Sequence, residues 1–219
     1  ITSGALAITG NGITLSGNIT TSGASANQTY TGAVTLGEAI TLTSNNNSVS
    51  FSGTGSTVNG AKDFTINAGS GAISFGGVVG GNSVLSSLSL TTTHATGITL
   101  SGNITTTGSQ AYNGNVVLAA NTTLATTNSN VGFGGTLNGN AASRTLTITA
   151  GTGAVTFTGT VGNSTPLGTA AITAATTTNS STWVGSSTLG ITGNAVINGA
   201  ISGITTLNIS GTTNPVSYT

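Results

Sequence analysis

The chain has 219 residues, and only Lys62, Arg144, Glu38 and Asp63 carry formal charge, 2% of the total against about 25% in an average soluble domain. Two cations cannot neutralise a run of phosphates, so nucleic acid is excluded as a partner. No apolar run reaches the roughly 18 residues of a membrane-spanning helix, and without cysteine there is neither disulfide nor thiol chemistry.

The first recognisable element is ITLSGNIT at Ile13–Thr20. Short strands follow: ITL at Ile40, VSF at Val49, FTI at Phe64, ISF at Ile73, LSL at Leu88 and a second ITL at Ile98. Each alternates apolar outer residues with a small polar centre, the period-2 pattern of a strand with one buried face. The starts are spaced at intervals of 9, 15, 9, 15 and 10, so a pair of strands returns about every 24. Asn-Gly at Asn11, Asn59, Asn113, Asn138 and Asn198, and Gly-x-Gly at Gly69 and Gly151, read as turns with positive-φ residues. β-branched residues and frequent Gly disfavour helix.

A longer repeat contains this rhythm. ITLSGNIT recurs at Ile98, and further along Tyr30 matches Tyr112 and Phe51 matches Phe133, both at an offset of 82 (112 − 30 and 133 − 51). FTINAGSGAISFGGVVG from Phe64 matches LTITAGTGAVTFTGTVG from Leu146, again at an offset of 82 (146 − 64). The units run approximately 1–82, 83–164 and a partial, divergent 165–219, within one continuous domain 1–219. LGITGN at Leu189 resembles LAITGN at Leu6, but it arrives later than two such offsets would place it. The excess is close to the length of one coil and predicts an added coil around Thr176–Thr188, including Trp183.

Recurrence over so many positions favours a solenoid over a sandwich. Each coil of a solenoid meets only its neighbours, so equivalent positions keep equivalent surroundings. The prediction is a single all-β parallel β-solenoid of about nine coils, each 82-residue unit making three to four. Regularly placed Val, Ile, Leu and Phe, with zero net charge, argue against disorder, which usually pairs low hydrophobicity with high charge.

The strings QTYTGAVTLGEAITL from Gln28, FTINAGSGAISFGGVVG from Phe64 and ITLSGNITT from Ile13 resemble repeats of filamentous-haemagglutinin-like bacterial adhesins. The resemblance covers about residues 1–173 well and the rest loosely. It implies a right-handed parallel β-helix, export to the bacterial cell surface or extracellular space, and adhesion or matrix building, with host-surface or matrix glycans as partners. No binding residue transfers with it.

Candidates for chemistry are few. Glycoside hydrolysis normally needs two carboxylates flanking the bond; Glu38 and Asp63 are the only two, and Ala120 and Thr145 stand at their repeat equivalents. His94 alone cannot make a metal site, and Asp63 alone cannot hold calcium. No catalytic, cofactor-binding or metal-binding residue is assigned, and the chain reads as a non-enzyme. Lys62 and Arg144, one repeat apart, suggest either a cationic ladder for anionic ligands or turn residues. Tyr30 and Tyr112 either stack on sugar or cap the core, and Trp183 is either a partner contact or the plug of the added coil. Thr41–Leu42–Thr43, Thr147–Ile148–Thr149 and Thr156–Phe157–Thr158 fit the Thr-x-Thr arrays of ice-binding solenoids, although Ser, Asn, Gly or Ala interrupts the pattern elsewhere. Asn18, Asn27 and Asn103 lie in Asn-x-Ser/Thr sequons.

Two readings of function stand: an adhesive or matrix rod, and a filament protomer that self-associates end to end through open strand edges. For the second, Pro215 is the one candidate blocker near the C-terminus, and no charge cluster guards Ile1–Ile8.

Overall fold

Inward Val, Ile, Leu and Phe alternate with outward Thr, Ser and Asn, and each short strand finds its partner one coil later in the chain, always in parallel. The computed structural model describes residues 4–53 and 55–213; Ile1 to Ser3 and Pro215 lie outside them. Among the described residues the fold is all-β, a parallel β-solenoid of about nine turns with three faces.

The first face stacks Leu6–Thr9, Gln28–Thr31, Val49–Ser52, Ile73–Phe75, Ile98–Leu100, Val116–Leu118 and Leu137–Gly139. It continues through Val161, Trp183 and Ile201. The second face runs from Ile13–Leu15 through Val34–Leu36, Val58–Asn59, the single bridge residue Val79, Ile104–Thr106, Thr122–Thr126 and Thr145–Thr149. Residues 169–173, 188–192 and 206–210 extend it. The third face stacks Ile19–Thr21, Ile40–Ser44, Asp63–Asn67, Ser87–Thr91, Gln110–Asn113, Val131–Phe133 and Ala154–Phe157, then 176–179 and 194–197. In the last coils the strands Thr169–Asn179 and Trp183–Ile197 stay paired around a corner, with a register shift between Thr173 and Thr176.

The first face has ten levels from Leu6 to Ile201, so each of the nine steps between them takes about 22 residues. Nine steps at the strand spacing of about 4.8 Å give a rod of roughly 43 Å. The core is a column of inward side chains, nearly all fully buried. Its aromatic rings show the coil rise directly. Tyr30, Phe51 and Phe75 stack with centroids 5.0 Å apart on the first face. Tyr112, Phe133 and Phe157 do the same at 5.1 and 5.0 Å on the third. That distance is close to the strand spacing, so each ring sits almost directly over its neighbour in the preceding coil.

Three expectations change in detail. The 24-residue rhythm contains three strands, not two. The missed one lies on the second face, where it shrinks to Val58–Asn59 and then to Val79 alone, too short to display alternation. The 82-residue unit falls within three to four coils but is not a whole number of them: Tyr30 lies on the first face and Tyr112 on the third, three and two-thirds turns on. Of the five Asn-Gly glycines only Gly60 has a left-handed φ, +126°. Parallel coils turn through open corners, so the reversed hairpin geometry that favours Asn-Gly is not needed.

Candidate functional site

The charged residues sit on outer corners. Glu38 and Asp63 are exposed. The register that sets Ile40 beside Phe64 brings Ala39 opposite Asp63, so the two carboxylates lie at one corner on adjacent turns. Asp63 Oδ1 accepts a hydrogen bond from Ser87 Oγ at 2.6 Å, a contact between coils. Lys62 precedes a third-face strand, whereas Arg144 precedes a second-face strand four levels further along. They stand at different corners and form no ladder. Arg144 Nε donates to Asn140 Oδ1 at 2.6 Å, which ties a corner to itself.

His94 is held locally. Its Nδ1 accepts from the Thr96 backbone N–H at 3.2 Å, and the His94 backbone N–H donates to Thr92 Oγ1 at 2.9 Å. Among the described residues no three His, Cys, Asp or Glu side chains converge, and no helix is long and apolar enough to cross a membrane.

The most elaborate polar arrangement is internal. At the corner between the first and second coils, Tyr30 OH donates to Gln28 Oε1 at 2.9 Å. Gln28 Nε2 donates to Thr43 O at 2.9 Å and to Thr21 Oγ1 at 3.3 Å, and Thr21 Oγ1 donates to Ala26 O at 2.6 Å. The same network recurs in the next unit. Tyr112 OH donates to Gln110 Oε1 at 2.8 Å. Gln110 Nε2 reaches Ala125 O at 2.9 Å and Thr106 Oγ1 at 3.3 Å, and Thr106 Oγ1 reaches Gly108 O at 2.6 Å. Thr21, Gln28, Tyr30, Thr106, Gln110 and Tyr112 are all buried. Burial pushes both tyrosine hydroxyls well above their ordinary pKa of 10.0, because a phenolate there would lose its hydration.

The tyrosines are therefore core caps and offer no platform to a sugar. Trp183 is likewise the plug of its coil: it is 1% exposed, lies edge-on to Phe157 at 5.1 Å and donates from Nε1 to Ser186 Oγ at 3.3 Å. Nearby, Thr177 Oγ1 and Asn179 Oδ1 are buried without a hydrogen-bond partner, as is Ser56 Oγ further down the rod.

Sequence reading missed what the asparagines do. Asn18, Asn27 and Asn103, read as sequons, accept from the backbone N–H groups of Thr41, Ser48 and Thr123 in the next coil at 2.7, 2.9 and 2.8 Å. Asn46 and Asn128 do the same for Ser70 and Thr152, both at 3.0 Å. Each satisfies a backbone donor at a corner or at the start of a strand, next to the coil below. The available signal is recurrence: Asn46 and Asn128 stand 82 residues apart (128 − 46), and Asn18 and Asn103 occupy the same place in the two copies of ITLSGNIT.

Outside, the faces present neutral side chains. The three Thr-x-Thr triplets do not share one surface, since Thr41 to Thr43 and Thr156 to Thr158 lie on the third face and Thr147 to Thr149 on the second. No family model matches the chain, and neither a curated protein nor a solved structure matches it.

Proposed function

We propose that this chain is a non-catalytic rod segment of an extracellular or bacterial cell-surface protein, of the filamentous-haemagglutinin-like kind, that serves adhesion or matrix building. One observation carries the reading. The specific chemistry of the molecule, its Gln–Tyr networks, aromatic stacks and Asn caps, is turned inward or between coils, while the outward faces carry almost nothing ionisable. That arrangement supports shape and stiffness rather than turnover of a substrate.

The test is display of the chain on a non-adherent bacterium, with attachment measured to host cells and to matrix polysaccharide. Attachment above that of the empty display scaffold supports adhesion; attachment equal to it refutes adhesion. Release of reducing ends from any polysaccharide by the purified chain, abolished by Glu38→Ala or Asp63→Ala, would overturn the non-catalytic part.

A second reading, growth of a filament by end-to-end addition, draws on the apolar residues at both described ends. Leu6, Ile8 and Ile19 in the first coil and Leu207 and Ile209 in the last are only partly buried. These edges accept a further parallel strand, from a continuing chain or a second copy. Sedimentation velocity separates the cases: species that lengthen with concentration support filament growth, and one species at all concentrations refutes it.

A further inference from the structure

Three four-residue strand segments of one kind occur along the chain: Leu6-Ala7-Ile8-Thr9, Leu88-Ser89-Leu90-Thr91 and Leu189-Gly190-Ile191-Thr192. The first lies on the first face at level one, the second on the third face at level four, and the third on the second face at level nine. The step from first to second is three and two-thirds turns. The step from second to third is four and two-thirds, which is the same shift plus one whole turn. That whole turn corresponds to the added residues around Trp183. Other equivalents move the same way: Ile13 on the second face becomes Ile98 on the first, and Phe64 on the third becomes Leu146 on the second.

We infer that the 82-residue unit is a one-third-turn screw element, so that successive copies display equivalent outward positions, Thr9, Thr91 and Thr192 among them, on each of the three faces in turn. The physical basis is that the faces are interchangeable. Each needs only one or two inward apolar residues, small outward neighbours and a corner. A repeat must therefore contain a whole number of faces, eleven here, and need not contain a whole number of turns. The added coil contributes three further faces and leaves the phase intact. A run of three such units returns to its starting face after eleven turns, about 53 Å at the strand spacing. A surface motif carried once per unit is then offered in three directions around the rod and never forms a one-sided ladder.

The test uses the absence of native cysteine, which confines spin labels to introduced positions. Thr9, Thr91 and Thr192 are exposed, and the pairs Thr9→Cys/Thr91→Cys and Thr91→Cys/Thr192→Cys report the rotation. A turn of about 22 residues at roughly 3.3 Å each makes a perimeter of about 73 Å, so points a third of a turn apart are separated by about 20 Å across the rod. Combined with rises of about 18 Å and about 22 Å, this gives distances of about 27 Å and about 30 Å. The control pair Thr91→Cys/Ser180→Cys lies on one face four turns apart, for an expected distance of about 19 Å. Circular dichroism identical to the parent confirms that each pair is folded. Distances for the rotated pairs no greater than their bare axial rise would overturn the screw.

Discussion

Gln110 and Tyr112 offer a sharp measurement of what the buried network contributes. Gln110→Leu keeps the volume but removes the acceptor of the Tyr112 hydroxyl and the donor to Ala125 O, bonds of 2.8 and 2.9 Å. The lost bonds to Ala125 O and Thr106 Oγ1 and the orphaned Tyr112 hydroxyl together cost about 2–6 kcal/mol. Tyr112→Phe alone strands Gln110 Oε1 and costs about 1–2 kcal/mol. In the double variant neither partner remains to be stranded, so its loss should fall about 1–3 kcal/mol short of the sum. The assay is equilibrium urea unfolding by far-ultraviolet circular dichroism, with Trp183 fluorescence as a second probe for coincident transitions, since long repeat arrays can lose two-state behaviour. The same cycle on Gln28 and Tyr30, bonded at 2.9 Å, is an internal replicate. Additive single-variant losses in both cycles would refute the idea that these side chains act as a unit.

Gly151 has φ +58° and its added Cβ would run into Asn128 Oδ1, which caps Thr152 N–H; Gly151→Ala should lose about 2–3 kcal/mol from left-handed strain and the broken cap, read by the same unfolding assay. Thr177→Val should gain about 1 kcal/mol, because the hydroxyl it removes is buried and unpartnered; a loss of stability would show that the hydroxyl has a partner. Spectrophotometric titration of the folded chain should leave Tyr30 and Tyr112 unionised through pH 10, their ordinary value. Because folding raises these pKa values, the stability they contribute is complete below pH about 10 and is lost as the pH climbs above it, so the urea midpoint should fall at high pH. Thr149, Thr173 and Thr192 follow one another on successive coils of the second face; Lys at any one of them should change stability by less than about 0.5 kcal/mol, whereas Lys at all three should destabilise by several-fold more and recover in high salt.

The repeat made the solenoid legible because stacked coils give equivalent residues equivalent neighbours, so Tyr30 and Tyr112, or Phe51 and Phe133, are kept as ring stacks. The number of faces was harder to see. A strand as short as Val58–Asn59 carries no measurable period, and the second face therefore left a gap in the rhythm. Phase was also hidden, because faces that look alike in sequence give no sign of which one a strand occupies. The Gln–Tyr network illustrates a different limit. Seven positions separate Thr21 from Gln28 but only four separate Thr106 from Gln110, and both corners nonetheless close the same hydrogen bonds. Alignment at fixed spacing loses such a site, since the corner absorbs the difference while the strands on either side hold the geometry. Trp183 and Tyr30 remained ambiguous for a simpler reason: an aromatic residue in a polar stretch reads equally well as plug or as contact until its burial is known.

The scarcity of charge follows from the same stacking. An outward position repeated on adjacent coils places like side chains about 4.8 Å apart. Two like charges at that distance repel by about 0.9 kcal/mol in bulk water and about 3.5 kcal/mol at an effective dielectric of 20. A face that repeats every turn cannot carry a charged residue in its pattern without incurring that cost at every level, whereas Thr, Ser and Asn incur none and can bond along the stack, as Ser74 Oγ does to Ser50 Oγ at 2.9 Å. The one basic position that does recur between units, Lys62 and Arg144, escapes the penalty because a third of a turn and nearly four levels separate the copies. Their axial separation of about 18 Å is roughly twice the screening length at physiological salt. The screw thus keeps the two cations apart, and a unit that closed on whole turns would bring them to the same corner; Glu38 and Asp63, at one corner on adjacent turns, are the exception that stays within a single unit.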